Sequence, residues 1–140
     1  MSEDVPPPPD GFVPSARGPF TTHNGPLFHK VRRDGIYEHA FFVLARHCNA
    51  MGIVHGGMLT TFLDGLLARA VHEAVKAPSV TLHLSVDFLS AARQGQWVFG
   101  DAHVTRQARD ITFAAARIHA DGRDILHGSG LFKVSHQKTS

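Results

Sequence analysis

A long segment in the middle of the chain has apolar residues at helical spacing. Between Met58 and Val75 they fall at positions 58, 59, 62, 63, 66, 67, 70, 71, 74 and 75. This spacing predicts a helix with a wide apolar face, and Pro78 marks where it must stop. Because so apolar a helix cannot face water on most sides, the rest of the protein must cover it.

The segments around this helix have the patterns of strands. Residues 37–45 are aromatic and β-branched, which predicts a strand before the helix. Residues 79–88 then alternate strictly, with apolar residues at 80, 82, 84, 86 and 88, as in a half-buried strand. Further strands are predicted at 96–106, 110–120 and 125–134, the last after an Asp-Gly turn. This order favours an α+β fold in which an antiparallel sheet wraps one buried central helix.

The first 26 residues differ from the rest because they are rich in Pro, Gly, Ser and Thr. This composition predicts a flexible N-terminal arm, followed by one globular domain over residues 27–140. A chain of 140 residues fits a single domain of ordinary size.

Composition narrows the class of protein. The net charge is only +2, without a run of Lys or Arg, so nucleic acid is not an expected partner. Cys48 is the only cysteine, which excludes an internal disulfide and favours a reducing compartment. The chain has neither a secretory signal pattern nor an apolar run of about 18 residues, so we expect a cytoplasmic protein without a membrane span.

Asp64 is the most conspicuous polar residue of the predicted helix. It is the only charged side chain between Gly56 and Ala68. An unpaired carboxylate is costly to bury, so its presence on an apolar helix suggests a chemical role. The competing interpretation is a narrow solvent-facing strip that also contains Thr60 and Thr61.

A second candidate group lies at the start of the helix, in the order His55, Gly56, Gly57. Two glycines begin a helix poorly unless something must approach the backbone closely. The first N–H groups of a helix lack internal partners and could bind a carbonyl oxygen. Asn49, six residues before His55, could donate to the same oxygen. Alternatively, the glycines form a plain loop and Asn49 stabilises a turn. Together with Asp64 as general base or nucleophile, the group predicts attack on a carbonyl.

At this point the sequence resembles a known family. The stretch NAMGIVHGGMLTTFLDG (49–65) resembles the signature of hotdog-fold acyl-CoA thioesterases of the phenylacetate-pathway type. The stretch VTLHLSVDFLSAARQG (80–95) resembles the family's next block, although Ser90-Ala91-Ala92 replaces a usual proline. The similarity spans about residues 27–134 and implies the hotdog fold.

The resemblance also implies roles. Asn49 and Gly56 would bind the thioester oxygen, and Asp64 would activate water or attack directly. His55 would shape the loop and hold Asn49 or the thioester group. Thr81 would assist the carboxylate, and Gly57 would be a further substrate-site residue. The implied assembly is a homodimer or homotetramer whose active sites lie at the subunit interface. The resemblance implies an acyl-CoA substrate and no cofactor, and it leaves the acyl group open.

Two positions are less certain on the pattern alone. Strict alternation places Thr81 on the face of its strand that points away from its own helix, so it can join the site only through a partner subunit or a bend. Arg93 could meet the phosphates of coenzyme A or could be an ordinary solvated loop charge.

Two other functions compete with hydrolysis. A hotdog hydratase or dehydratase would pair a histidine with a carboxylate, and a non-catalytic acyl-CoA binder would hold the ligand without turnover. The eleven histidines do not form a metal site in the sequence, because no H-x-x-x-H spacing occurs. We therefore expect neither a metal nor a redox cofactor.

Overall fold

The computed structural model describes residues 4–135. It contains helices α1 (Pro19–Asn24) and α2 (Gly56–Val75). Seven strands form one sheet: β1 (Val13–Pro14), β2 (Leu27–Val31), β3 (Tyr37–Phe42), β4 (Ser79–Phe88), β5 (Trp97–Gln107), β6 (Ile111–Ala120) and β7 (Arg123–Val134). Their spatial order is β1-β2-β3-β5-β6-β7-β4, and every pairing is antiparallel.

Helix α2 lies against the sheet and supplies the centre of the core. Its buried residues recur at the predicted spacing: Met58, Leu59, Phe62, Leu63, Leu66, Leu67 and Val71. The helix begins two residues earlier than the apolar pattern indicated, because His55 caps it. It ends at Val75, and the following cap residue, Lys76, adopts a left-handed conformation with φ 51°. The predicted α+β hotdog fold, an antiparallel sheet wrapped around one long helix, is confirmed.

Two glycines of β7 set the distance between helix and sheet. A Cβ at Gly128 would lie 2.6 Å from Cδ2 of Leu63, closer than real Cβ contacts occur. A Cβ at Gly130 would lie 3.0 Å from Cδ1 of Leu67. The missing side chains therefore let two leucines of α2 rest directly on the backbone of β7.

Strand β4 forms an edge of the sheet, and its pattern is less regular than the sequence indicated. The pairing with β7 shifts between Thr81 and His83, so Leu82 is an extra residue in a bulge. Val80, Leu82 and Phe88 are 58%, 52% and 56% exposed. The prediction of one continuous apolar face is thus wrong, since the bulge reverses the alternation at Leu82.

The N-terminal segment also differs from the expected loosely attached arm. Phe12 is buried and packs with Phe28 in a small second cluster. Residues 13–14 pair with strand β2. Strand β2 was not among the strands that the sequence pattern predicted. The apolar residues among these prolines and glycines explain the attachment. The division at residue 27 stays a prediction, and residues 1–3 lie outside the described part.

Candidate active site

The start of helix α2 is held by His55. The imidazole Nδ1 of His55 accepts the N–H of Gly57 at 2.7 Å, and the His55 N–H donates to His47 O at 2.9 Å. Residue 57 must be small, because a Cβ there would lie 2.9 Å from this imidazole nitrogen. The Gly57 N–H, a sequence-based candidate for substrate binding, is thus already satisfied by His55.

The neighbouring N–H of Gly56 is in a different situation. Within residues 4–135 it donates to no other group, as expected for the first residue of a helix. A Cβ at Gly56 would lie 3.4 Å from the Phe88 ring, so glycine leaves room beside this N–H. The positive end of the helix dipole lies here as well. This N–H is therefore available to an oxygen ligand.

Asn49 lies in a tight loop beside the helix start. Its Oδ1 accepts the N–H of Met51 at 2.9 Å, and its own N–H donates to Ile53 O at 2.9 Å. The side-chain oxygen therefore stabilises a turn, as the alternative interpretation expected. In the described part of the chain, the amide nitrogen Nδ2 has no acceptor. Asn49 can hold the turn with one atom and donate to a ligand with the other.

Asp64 does not point freely into solvent. It is half-buried, and Thr81 donates its hydroxyl to Asp64 Oδ1 at 2.6 Å. The bulge at Leu82 explains this contact, because it allows Thr81 to face α2 while Leu84 also packs inward. The sequence-based placement of Thr81 away from its own helix is therefore wrong, and the alternative of a bend in the strand is the one observed.

Asp64 and Thr81 line a cavity of about 300 Å³. The helix residues Thr60 and Thr61 also line it, but their hydroxyls donate to the backbone of the preceding turn, at 2.8 and 2.9 Å. The rest of the lining is largely apolar: Phe20, Leu27, Met58, Phe62 and Leu84, with Thr21, Asn24 and Gly65. Sequence reasoning missed the contribution of residues 20–27, because their composition resembles that of a linker and no motif marks them.

One chain does not bring all the candidates to one point. Gly56 and Asp64 are eight residues apart on one helix, which separates them by about 12 Å along its axis. A carbonyl oxygen bound to the Gly56 N–H is therefore out of reach of Asp64 in the same chain. The candidates form two groups, Asp64 with Thr81 and Asn49 with His55 and Gly56.

Arg93 lies beside the second group. It forms an isolated bridge with Ile53, and the Gln94 N–H donates to Gly52 O at 3.2 Å. The Arg93 side chain is exposed. Its position next to the Asn49 loop is compatible with both interpretations drawn from the sequence.

Other chemistry has less support. Burial raises the pKa of the Cys48 thiol, which makes it a poor nucleophile at neutral pH. Within the described residues, no three His, Cys, Asp or Glu side chains meet in a possible metal site. No helix between residues 4 and 135 has both the length and the apolar character that a membrane crossing requires.

Comparisons with known proteins place these features in context. The model of the thioesterase superfamily matches residues 51–126, which include all but one of the proposed catalytic residues. A protein of Pseudomonas aeruginosa with a provisional esterase name is 35% identical over 129 residues, covering 90% of this chain and 96% of that protein. Human acyl-coenzyme A thioesterase 13 is 29% identical over 90 residues, which cover 58% of this chain and 64% of the human protein.

A solved structure has the same architecture. It is a provisionally named thioesterase from Ralstonia eutropha, described as related to phenylacetic acid degradation. The TM-score is 0.75 at 24% identity, and the match covers 85% of this chain and 92% of the other. At this identity, the likeness concerns the fold.

Proposed function

Because this chain belongs to the thioesterase superfamily, we propose that it hydrolyses an acyl-CoA thioester to a free acid and coenzyme A in an active site shared by two copies. One observation carries the proposal. The carboxylate of Asp64 is held by Thr81 at a cavity, whereas the open Gly56 N–H lies about 12 Å away along the same helix. Two copies can bring one group of each kind together, which a single chain cannot do.

The proposed reaction uses the two groups for different steps. The thioester carbonyl oxygen lies between the Gly56 N–H and Asn49 Nδ2 of one copy. Asp64 of the other copy removes a proton from water, and the resulting hydroxide attacks the carbonyl carbon. The two donors stabilise the oxyanion of the tetrahedral intermediate, each by about 3 kcal/mol. The C–S bond then breaks, and the departing thiolate takes up the proton.

Thr81 fits this scheme as a positioning residue for Asp64. Its hydroxyl donates to Oδ1, which fixes the carboxylate and leaves Oδ2 for the water. In the alternative chemistry, Oδ2 attacks the carbonyl carbon itself, the C–S bond breaks to release the coenzyme A thiolate, and water then hydrolyses the resulting anhydride to the free acid, with the released proton going to the thiolate. Both schemes use the same residues. We propose that neither of them needs a metal or a cofactor.

Strand β4 supports the involvement of a second copy. Among residues 4–135 it pairs with β7 alone, and it exposes large apolar residues along its length. An unpaired apolar edge favours pairing with another strand. Phe88, near the end of β4, lies next to Gly56. A partner bound along β4 would therefore meet the helix start, in a dimer or a larger assembly.

The cap on helix α2 weighs against a hydratase. In that chemistry a histidine exchanges protons with the substrate, whereas the neutral imidazole of His55, whose Nδ1 accepts the Gly57 N–H, can donate a proton from Nε2 but cannot take one up there. Hydration of crotonyl-CoA without release of thiol would support the hydratase instead. Saturable acyl-CoA binding without any turnover would support a binding protein.

The test measures thiol release from a series of acyl-CoA esters by the purified full-length protein. Asp64→Asn and Asn49→Asp chains are then assayed separately and after random mixing by co-refolding. If the active site is shared in a dimer, random mixing makes half of the dimers mixed, and each mixed dimer has one intact site out of two. The mixture should then recover about a quarter of the wild-type activity. Absence of thiol release by wild-type protein would contradict hydrolysis. Inactive mixtures would contradict the shared site.

A further inference from the structure

We propose that helix α1 forms one wall of the acyl-binding pocket and selects acyl groups by size, with Thr21 as the size-determining residue. The proposal rests on the proposed thioesterase function. It concerns a segment outside residues 51–126, the range matched by the superfamily model. Selectivity would therefore come from a part of the chain that the family match does not include.

The cavity connects α1 to the proposed reaction centre. Asp64 and Thr81 line it together with Phe20, Thr21 and Asn24. Its volume of about 300 Å³ is at the lower end of the range for small-ligand pockets. A carbonyl near the carboxylate would direct the acyl chain along the apolar lining toward α1. A pocket of this size suits an acyl group of medium length or with a single ring.

Side chains from the turn after β3 hold α1 against this cavity. A helix of six residues is not stable by itself, so its position depends on such contacts. Nη1 of Arg46 donates to His23 O at 3.2 Å, and Nη2 of the same side chain donates to Gly25 O. The C-terminal end of α1 is thus fixed by a side chain from outside the helix.

His47 adds a third contact and links α1 to the helix start. It is 3% exposed, and its Nδ1 accepts the Leu44 N–H at 3.0 Å. The other nitrogen, Nε2, therefore carries the proton and donates to Asn24 O at 2.7 Å. The His47 carbonyl accepts the His55 N–H at 2.9 Å. A larger side chain on α1 is expected to narrow the pocket, since these contacts tie the C-terminal end of the helix in place.

The experiment introduces the same bulky side chain at two positions of α1. Thr21→Phe places a ring in the cavity, whereas His23→Phe places it on an exposed residue that does not line the cavity. We expect Thr21→Phe to lower kcat/KM for octanoyl-CoA and phenylacetyl-CoA at least 10-fold, and for acetyl-CoA less than 3-fold, since misfit in an apolar pocket commonly changes specificity 10- to 200-fold. His23→Phe should leave all three values within about 2-fold.

Equal effects of Thr21→Phe on all three esters, or no effect, would overturn the proposal. If Thr21→Phe does not fold, Phe20→Ala serves as the second variant, because Phe20 is 67% exposed and contributes little to the core. It widens the rim and should raise kcat/KM for palmitoyl-CoA relative to acetyl-CoA; an unchanged ratio would overturn the proposal. Failure of the proposed function is distinguishable, because wild-type protein would then release no thiol from any ester.

Discussion

The two groups of candidate residues are built in different ways. The functional atoms of Asn49 and His55 are held by hydrogen bonds between neighbours in sequence, such as the one from the Gly57 N–H to His55, although the loop between them also pairs with residues 92–94. Asp64, in contrast, is held by Thr81, which is 17 residues away on another element. The group of Asn49, His55 and Gly56, called the amide group below, therefore depends on local turns. The group of Asp64 and Thr81, called the carboxylate group, depends on how strand β4 packs on α2. Substitutions should affect the two groups differently.

The largest expected effect is on the carboxylate group. Asp64→Asn keeps the size of the side chain and an oxygen for Thr81, but it removes the base. We expect kcat to fall about 10²- to 10⁴-fold, the usual contribution of a general base. Thiol release under saturating substrate gives this value. Asp10→Asn changes an exposed carboxylate that belongs to neither group and lies outside β4, so it should leave kcat within about 2-fold. Wild-type kcat in Asp64→Asn would contradict the mechanism.

The next effect separates the two functions of Asn49. Asn49→Asp retains an oxygen for the Met51 N–H, but it loses the donor Nδ2 and adds a charge that repels the oxyanion. Asn49→Ala loses both the turn acceptor and the donor. We expect both variants to lose about 10²-fold in kcat. Only Asn49→Ala should lower the free energy of unfolding, by about 1 kcal/mol, as measured by urea denaturation. An active Asn49→Asp variant would reduce this residue to a turn former.

A smaller effect is expected at Thr81. Thr81→Val removes the hydrogen bond to Asp64 while keeping the shape, and Thr81→Ser keeps the hydroxyl. A neutral donor to a carboxylate contributes about 1.5 kcal/mol, so Thr81→Val should lose roughly 10-fold in kcat. Thr81→Ser should recover most of it. The two variants behaving alike would show that the hydroxyl does not position the carboxylate.

The smallest expected effect is that of metal removal. Because neither group includes a set of metal ligands, incubation with EDTA followed by gel filtration should change kcat less than 2-fold. The activity of the treated protein is compared with that of a mock-treated sample. If EDTA treatment lowered kcat strongly and added Mg²⁺, Mn²⁺ or Zn²⁺ restored it, a metal ion rather than the amide group would be the main group that polarises the carbonyl.

The same contrast explains what the sequence could predict. The turn at Asn49 follows from residues close in sequence and was one of the two interpretations drawn from them. The helix cap at His55 is equally local, but the apolar pattern alone placed the start of the helix two residues too late. The α+β layout with a buried central helix was predicted because the period of α2 and the order of strands leave few ways to bury the apolar surface, and the resemblance to a known family implied the hotdog fold. Cytoplasmic location and the assembly of two or four chains stay predictions.

The contact between Asp64 and Thr81 was beyond the pattern. Alternation along β4 assumes one unbroken register, and a single extra residue at Leu82 reverses it. The bulge depends on pairing with β7, a strand about 50 residues later in the chain. The cavity wall from α1 was missed for a similar reason, because contacts with Arg46 and His47 rather than its own composition hold that helix.

The glycines of β7 make the site sensitive to a change that no substrate would touch. Leu63, which rests on Gly128, is the residue directly before Asp64. A methyl group at position 128 would push α2 outward and carry the carboxylate with it. A displacement of about 1 Å can lower a reaction rate 10²-fold. A substitution at Gly128, on the buried surface of the sheet, would therefore abolish most of the activity without unfolding the protein.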